Sequence, residues 1–214
     1  MLTVIDRDGY DSQSNLAYEE ALFHDARSWP RPLLLFYVND PCVVLGRANP
    51  ESEWIDAASC AADGIPVLRR FSGGGTVYHD RDNLNYSFIV PRNRIDQAVE
   101  RPGVHAYIAF FRQLVIRGLA NASDQFSETS LSDISLKGYK VSGNAQRIAS
   151  NIVLHHGTLM LRCPLAAIER YLPVPPNRTG VAHRGFVGGL HELGLTCSME
   201  EIKQWIAAEF RSSL

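Results

Sequence analysis

Residues 69–88 read RRFSGGGTVYHDRDNLNYSF, and residues 137–147 read KGYKVSGNAQR. The first run sets three glycines, Gly73, Gly74 and Gly75, beside Arg69, Arg70 and His79. A backbone without Cβ atoms approaches a ligand closely and presents N–H groups to it. Two arginines meet a carboxylate or phosphate in a fixed fork. The second run carries Lys140 between Gly138 and Gly143 on a predicted hairpin. The two runs are expected to form two walls of one polyanion site.

Outward from these runs, the chain punctuates into short elements. NLAYEEALFHDAR (15–27) reads as a helix, with Asp11, Ser12 or Ser14 as its cap and Trp29-Pro30 as its stop. LLLFYV (33–38) and CVVLG (42–46) read as buried strands around an Asn39-Asp40-Pro41 turn. Residues 51–63 suit one helix stopped by Gly64, and 65–70 a strand running into the glycine turn. In NYSFIV (85–90), Asn85 and Ser87 alternate with Tyr86 and Phe88, which predicts one wetter face. Residues 104–119 give a broad apolar helical stripe. LSDISL, Lys137-Gly138 and YKVSGNAQRI predict a β-hairpin, and NIVLHHGTLMLR (151–162) the next strand. Pro164 opens a short helix, 173–185 an ordered loop, and Ser198 with Glu201 forms a capping box for a last helix burying Met199, Ile202, Trp205 and Ile206. Strands joined mainly by hairpins imply an α/β (α+β) fold with a mixed, largely antiparallel sheet and flanking helices.

Bulk composition narrows the function. The 214 residues are 45% hydrophobic and carry a net charge of −2, which fits one globular domain and argues against a nucleic-acid surface. LLLF is too short to span a bilayer, and MLTVIDRDGYD is not a secretory signal. Cys42, Cys60, Cys163 and Cys197 show no metal-type spacing and read as packing thiols of a cytoplasmic protein.

The glycine triplet is neither a Walker loop nor a dinucleotide fingerprint, because no Gly-Lys-Ser/Thr follows and Tyr78 replaces the third glycine. A plain turn would not need Arg70, Ser72, His79 and Asn83 packed around it. Strand alternation puts Lys140, Ser142 and Asn144 on one face. A compact ammonium there suits a carboxylate attacking a phosphate. Asp133 is either a turn-end aspartate or a Mg²⁺ ligand. His155 and His156 are adjacent, so only one faces the site.

These residues resemble the lipoate–protein ligase A family, within the biotin/lipoate ligase superfamily. The matching pieces are NLAYEEALF, PCVVLGRANPESEW, the two runs above with SDISL, and HHGTLML, all in the family's order. The resemblance implies a catalytic domain like those of biotinyl protein ligases and class II aminoacyl-tRNA synthetases. It implies that ATP activates lipoate or octanoate to an acyl-adenylate, and that the acyl group passes to a lysine of a lipoyl carrier domain. That carrier would be a 2-oxoacid dehydrogenase E2 or a glycine-cleavage H-type protein. By the same resemblance, Gly73, Gly74 and Gly75 would line the acyl-adenylate. Arg70, Ser72, His79 and Asn83 would surround the acyl chain and ATP. Asp133 would take the Mg²⁺/phosphate role, and Gly143 and Asn144 would line the ligand. Lys140 would be the catalytic residue, touching the lipoyl carboxylate and α-phosphate. His156 would sit by the acyl pocket. The basic loop of biotin ligases is missing here.

Many family ligases add a C-terminal accessory domain. About 50 residues follow HHGTLML here, so 1–214 is expected to be one catalytic domain, with a separate accessory subunit as a possible partner. Related octanoyltransferases use a cysteine instead of ATP. Where they carry it, this chain has Asp124–Ser127 or Pro175. The rival readings are such a transferase and a non-catalytic carrier-recognition subunit.

Overall fold

Lys137 and Gly138 turn the chain with φ of 52° and 83°, the left-handed pair that closes a tight hairpin. The computed structural model describes residues 2–26, 31–149, 151–174 and 182–214, apart from the Arg184 side chain. The strands are β1 (Thr3–Arg7), β2 (Leu33–Val38), β3 (Cys42–Leu45), β4 (Val67–Arg69), β5 (Val77–His79), β6 (Asn83–Pro91), β7 (Phe126–Glu128), β8 (Asp133–Leu136), β9 (Tyr139–Ile148) and β10 (Ile152–Met160). The helices are α1 (Ser12–Asp25), α2 (Glu51–Trp54), α3 (Ala57–Asp63), α4 (Arg92–Ala98), α5 (Val104–Leu119), α6 (Leu165–Tyr171) and α7 (Met199–Ser213). Seven strands form one sheet in the order β1-β2-β6-β10-β9-β8-β7, and β4-β3-β5 form a second, smaller one. β1 pairs parallel with β2, and β3 with β4; the other pairings are antiparallel. The mixed, largely antiparallel α/β arrangement expected from hairpin spacing is therefore present.

One face of the large sheet carries the main core. Phe88 stacks on Phe111 of α5 at 5.2 Å and meets Phe210 of α7 edge-on at 4.9 Å. Each such buried ring stabilises the fold by roughly 1.5–3 kcal/mol. The opposite face meets α1 through Phe23, Ile89, Ile152 and Leu154. The small sheet packs with α3 and α6 through Val43, Leu45, Cys60, Ile168 and Tyr171. Among the described residues, no helix is long and apolar enough to cross a membrane.

Several elements depart from expectation for local reasons. α1 begins at Ser12 because Asp11 accepts from the Ser14 backbone N–H at 2.9 Å; its expected stop at Trp29-Pro30 lies outside the described residues. The helix expected over 51–63 is two. Ile55 is extended, its side chain joins the small-sheet core, and Asp56 caps the second piece from Ser59 N–H at 2.9 Å. Gly64 stops it with φ 66°. The 65–70 strand shortens to β4. The expected wetter face of β6 is buried: Asn85 is 2% and Ser87 0% exposed, because Ser87 Oγ donates to Glu19 of α1 while Asn85 Nδ2 donates to Tyr37 O and borders an internal cavity. In α7 the capping box is present, but Ile202, Ile206, Ala207 and Phe210 carry the burial, while Met199 and Trp205 are half-buried. Of the loop expected over 173–185, residues 175–181 lie outside the described residues.

Candidate functional site

The glycine turn leaves β4 and crosses in front of β3. Arg70 N–H donates to Leu45 O at 3.0 Å and Arg47 N–H to Ser72 O at 2.8 Å, which ties the turn to the small sheet. The Arg70 side chain then spends its donors on the loop itself. Nε reaches Ser72 Oγ and Gly73 O, both at 3.1 Å. Nη2 reaches Gly73 O at 2.7 Å and Gly75 O at 2.6 Å, and Nη1 reaches Val44 O at 3.3 Å. Burial pulls this guanidinium down to about 10, against the attraction of Glu19. Arg70 thus shapes the glycine loop as well as bordering the cavity. Gly74 sits at φ 90°, where a Cβ would lie 2.8 Å from Arg70 Nη2 and 3.0 Å from Ala145 Cβ. Glycine is required there by both conformation and space.

Behind the loop lies a fully buried carboxylate that the sequence reading missed. Glu19, on α1, faces His156 Nδ1 at 2.9 and 3.0 Å. It also accepts from Ser87 Oγ and, at 3.4 Å, from Tyr37 Oη. His156 Nε2 meets Ser72 Oγ at 2.7 Å. Burial raises the Glu19 pKa, but His156, Ser87 and Arg70 together outweigh it and leave it lowered. The order serine–histidine–carboxylate copies a nucleophilic triad, yet Ser72 is 0% exposed, accepts from Arg70 and is not part of the cavity wall. The set acts as a brace between α1, β10 and the glycine loop. The missed signal is the four-residue spacing of Asn15, Glu19 and Phe23, which puts two polar residues on the buried face of α1.

The second wall is the β8–β9 hairpin. Ile134 opposes Ser142 while Ser135 opposes Lys140, so Val141 is an extra residue and β9 bulges there. The bulge overturns the expectation that Lys140, Ser142 and Asn144 share a face. Ser142 and Asn144 turn to Tyr86, whose hydroxyl lies 3.0 Å from Ser142 Oγ and donates to Asn144 Oδ1 at 2.6 Å. Lys140 instead lies along Gly143, where a Cβ would come within 3.2 Å of its Cε and Nζ. Its ammonium pairs with Asp133 Oδ1 at 2.8 Å.

Arg70, Gly75, Thr76, Val77, His79 and His156 line one side of the cavity, and Ser132, Asp133, Lys140, Gly143, Asn144 and Ala145 the other. Ser72 is buried behind its wall, whereas Gly73 and Gly74 lie in the open part of the loop, outside the cavity lining. Asn83 does not line it either: its Nδ2 donates to Asp80 Oδ1 at 2.9 Å and holds the turn before β6. His155 faces the opposite side, stacked on Phe111 at 5.0 Å, with its pKa lowered by burial to about 3. Among the described residues, no group of three or more His, Cys, Asp or Glu is placed to hold a metal ion. Asp133 alone, already paired with Lys140, does not make a protein cage for Mg²⁺; it fits one only as a single carboxylate beside a nucleotide's own phosphates.

The family description "Lipoyl protein ligase A/B catalytic domain" matches residues 11–211. The chain belongs to this family. It is 35% identical over 178 residues to the lipoate-protein ligase LplJ of Bacillus subtilis, covering 83% of this chain and 51% of that one. It is 32% identical over 168 residues to lipoate–protein ligase 1 of Staphylococcus aureus, covering 78% and 48%. The chain thus spans about half the length of these curated relatives. Among solved structures, the bipartite lipoate protein ligase of Thermoplasma acidophilum, described with its E2 lipoyl domain, aligns with a TM-score of 0.84 at 23% identity, over 99% of this chain and 82% of that one. A lipoate-protein ligase A bound with ATP aligns at 0.81 and 22% identity, over 99% and 84%. A biotin acetyl coenzyme A carboxylase synthetase from Helicobacter pylori is similar in fold, with a TM-score of 0.55 at 9% identity, over 99% of this chain and 75% of that one.

Proposed function

We propose that this chain is a lipoate–protein ligase catalytic domain. A lipoate or octanoate carboxylate attacks the α-phosphorus of ATP and expels pyrophosphate. A carrier lysine then attacks the acyl carbon and expels AMP. The observation that carries this reading is the Lys140 ammonium. It sits on a bulged strand, beside one carboxylate, on the cavity wall opposite the glycine loop. A point charge there neutralises both the attacking carboxylate and the α-phosphate as charge builds. Gly75 and Gly143 leave room for the acyl-phosphate. Arg70, Ser72, Gly73 and Gly74 hold the loop that faces it, and His79 and His156 border the acyl tail. Asn144 lines the ligand cavity. Asp133 would hold Mg²⁺ together with the nucleotide's phosphates, where the ion screens their charge. Asn83 supports the turn before β6 rather than the ligand.

The carrier is proposed to be a lipoyl domain, as named for the Thermoplasma ligase, of the E2 or H-protein type. Residues 1–214 are read as one catalytic domain that acts with or without a separate accessory chain. The four free cysteines suit the reducing cytoplasm. ATP–pyrophosphate exchange with lipoate, octanoate and biotin tests the reading. Exchange stimulated by the first two acids and not by biotin is the expected result. Acyl transfer from a carrier thioester without ATP would replace it with a cysteine-dependent octanoyltransferase.

A further inference from the structure

Arg112 shares the buried face of α5 with Ile108, Phe111 and Val115, and is itself 5% exposed. A guanidinium is costly to bury. Its Nε meets no acceptor among the described residues, so packing alone does not call for an arginine there. The other two nitrogens converge on β7 and the short connection after it, residues 129–132. Nη1 donates to Ser130 O at 2.8 Å and also to Leu131 O. Nη2 pairs with Glu128 at the end of β7. One planar fork thus fastens two successive carbonyls and the strand before them.

This connection delivers Asp133 to the cavity. Ser130 Oγ accepts from the Ser132 N–H at 3.3 Å and from the Asp133 N–H at 3.1 Å. Ser132 O accepts from the backbone and side-chain N–H groups of Asn144 at 2.9 and 2.8 Å. Ser132, Asp133 and Asn144 line the cavity, and Arg112 does not. β9 holds Asp133 from one side through its pairing with Gly143. The connection held by Arg112 enters from the other.

We infer that Arg112 is a positioning residue: it fixes the path of residues 129–132 and so sets the Asp133 carboxylate against Lys140 and the nucleotide's phosphates. The inference rests on the proposed acyl-adenylate reading. A lysine does not replace it, because an ammonium is a point donor on a flexible stem, whereas two carbonyls and a carboxylate need a fork.

Amide hydrogen exchange and ATP–pyrophosphate exchange of Arg112→Met and Arg112→Lys test it. In the folded variants, the amides of Ser132, Asp133 and Asn144 should lose protection while those of β6 and β10 keep it. Wild-type protection at the three amides overturns the brace. The kcat of pyrophosphate exchange should fall about tenfold to a hundredfold, the range for a displaced group, and Arg112→Lys should not restore it. Wild-type kcat in either folded variant overturns the positioning role. A double-mutant cycle asks whether Arg112 acts through the carboxylate. Adding Arg112→Lys to Asp133→Asn should cost less than about twofold further; losses that multiply make Arg112 a support of the fold alone. If Asp133→Asn shows no exchange, the Mg²⁺ concentration for half-maximal exchange decides, because loss of folded protein does not move it. A rise of about tenfold in Arg112→Lys upholds the role, and an unchanged value overturns it. If Arg112→Met fails to fold, Arg112→Lys carries every readout. If no acid supports exchange in the wild type, the acyl-adenylate reading fails, while amide protection still judges the brace.

Discussion

Lys140 Nζ stands 2.8 Å from Asp133 Oδ1, and the same side chain lies along Gly143 three residues later, where strand alternation alone would not put it. The bulge at Val141 makes that approach possible. A lysine so held offers one localised charge at a defined point. Lys140→Ala should therefore lower pyrophosphate exchange about a hundredfold. Lys140→Arg should fail nearly as badly, because a planar fork is too large for the space over Gly143. Exchange within a few-fold of wild type in Lys140→Ala would remove the residue from the chemistry.

Gly143→Ala probes the same geometry without touching the charge. The new Cβ would meet Lys140 Cε and Nζ at 3.2 Å, so the flexible end of the lysine must give. We expect a change in stability of less than about 1 kcal/mol and a fall in kcat of about tenfold, consistent with a misplaced charge-stabilising group. A variant with normal kcat would mean that the lysine is free to settle elsewhere.

Gly74→Val should damage the loop more than the ligand contact. Its φ of 90° strains any side chain, and the added Cβ would press on Arg70 Nη2 and Ala145. A loss of roughly 2–3 kcal/mol follows from the backbone and the contact together. Chemical denaturation measures it; wild-type stability with lost ligand affinity would return the residue to the cavity wall.

Local patterns made the strands, α5 and the α7 cap legible, because apolar spacing and capping chemistry act within a few residues. The two walls were legible as well, since glycines and charges cluster in sequence. The bulge was not: one extra residue in β9 shows only once β8 is paired with it. Glu19 was hidden because its partners, Ser87 and His156, are far along the chain, and their meeting depends on sheet order. The role of Arg70 was half legible, since a charge suggests a ligand, whereas its bonds go to the carbonyls of its own loop.

Glu19→Gln keeps the shape of the brace and removes its charge. The Glu19 carboxyl is held below its ordinary value of 4.5, so its contribution to stability is full above that pH and fades as pH falls through the folded value. Wild-type stability should drop on acidification below about pH 4.5. Glu19→Gln should be less stable at neutral pH by on the order of 3 kcal/mol and lose part of that acid slope. Parallel curves for the two proteins between pH 3 and 7 would show that the carboxylate is not the titrating group.

The last expectation separates adenylate chemistry from thiol chemistry. Burial pushes the thiols of Cys42 and Cys163 up to about 11 and raises those of Cys60 and Cys197, and none of the four lines the cavity. A thiol that stays protonated at neutral pH is a poor nucleophile. Amine attack on a mixed anhydride needs orientation and a stabilised leaving phosphate, not an enzyme thiol. A protein with all four cysteines changed to Ala or Ser should therefore still pass lipoyl from supplied lipoyl-adenylate to a carrier domain, at a rate within about threefold of wild type, since conservative changes away from reacting groups alter little. Starting from ATP and free lipoate, a companion accessory chain should raise the rate if one is needed for adenylation. A folded cysteine-free protein that cannot use lipoyl-adenylate, beside a wild type that takes octanoyl from a carrier thioester without ATP, would establish the transferase instead.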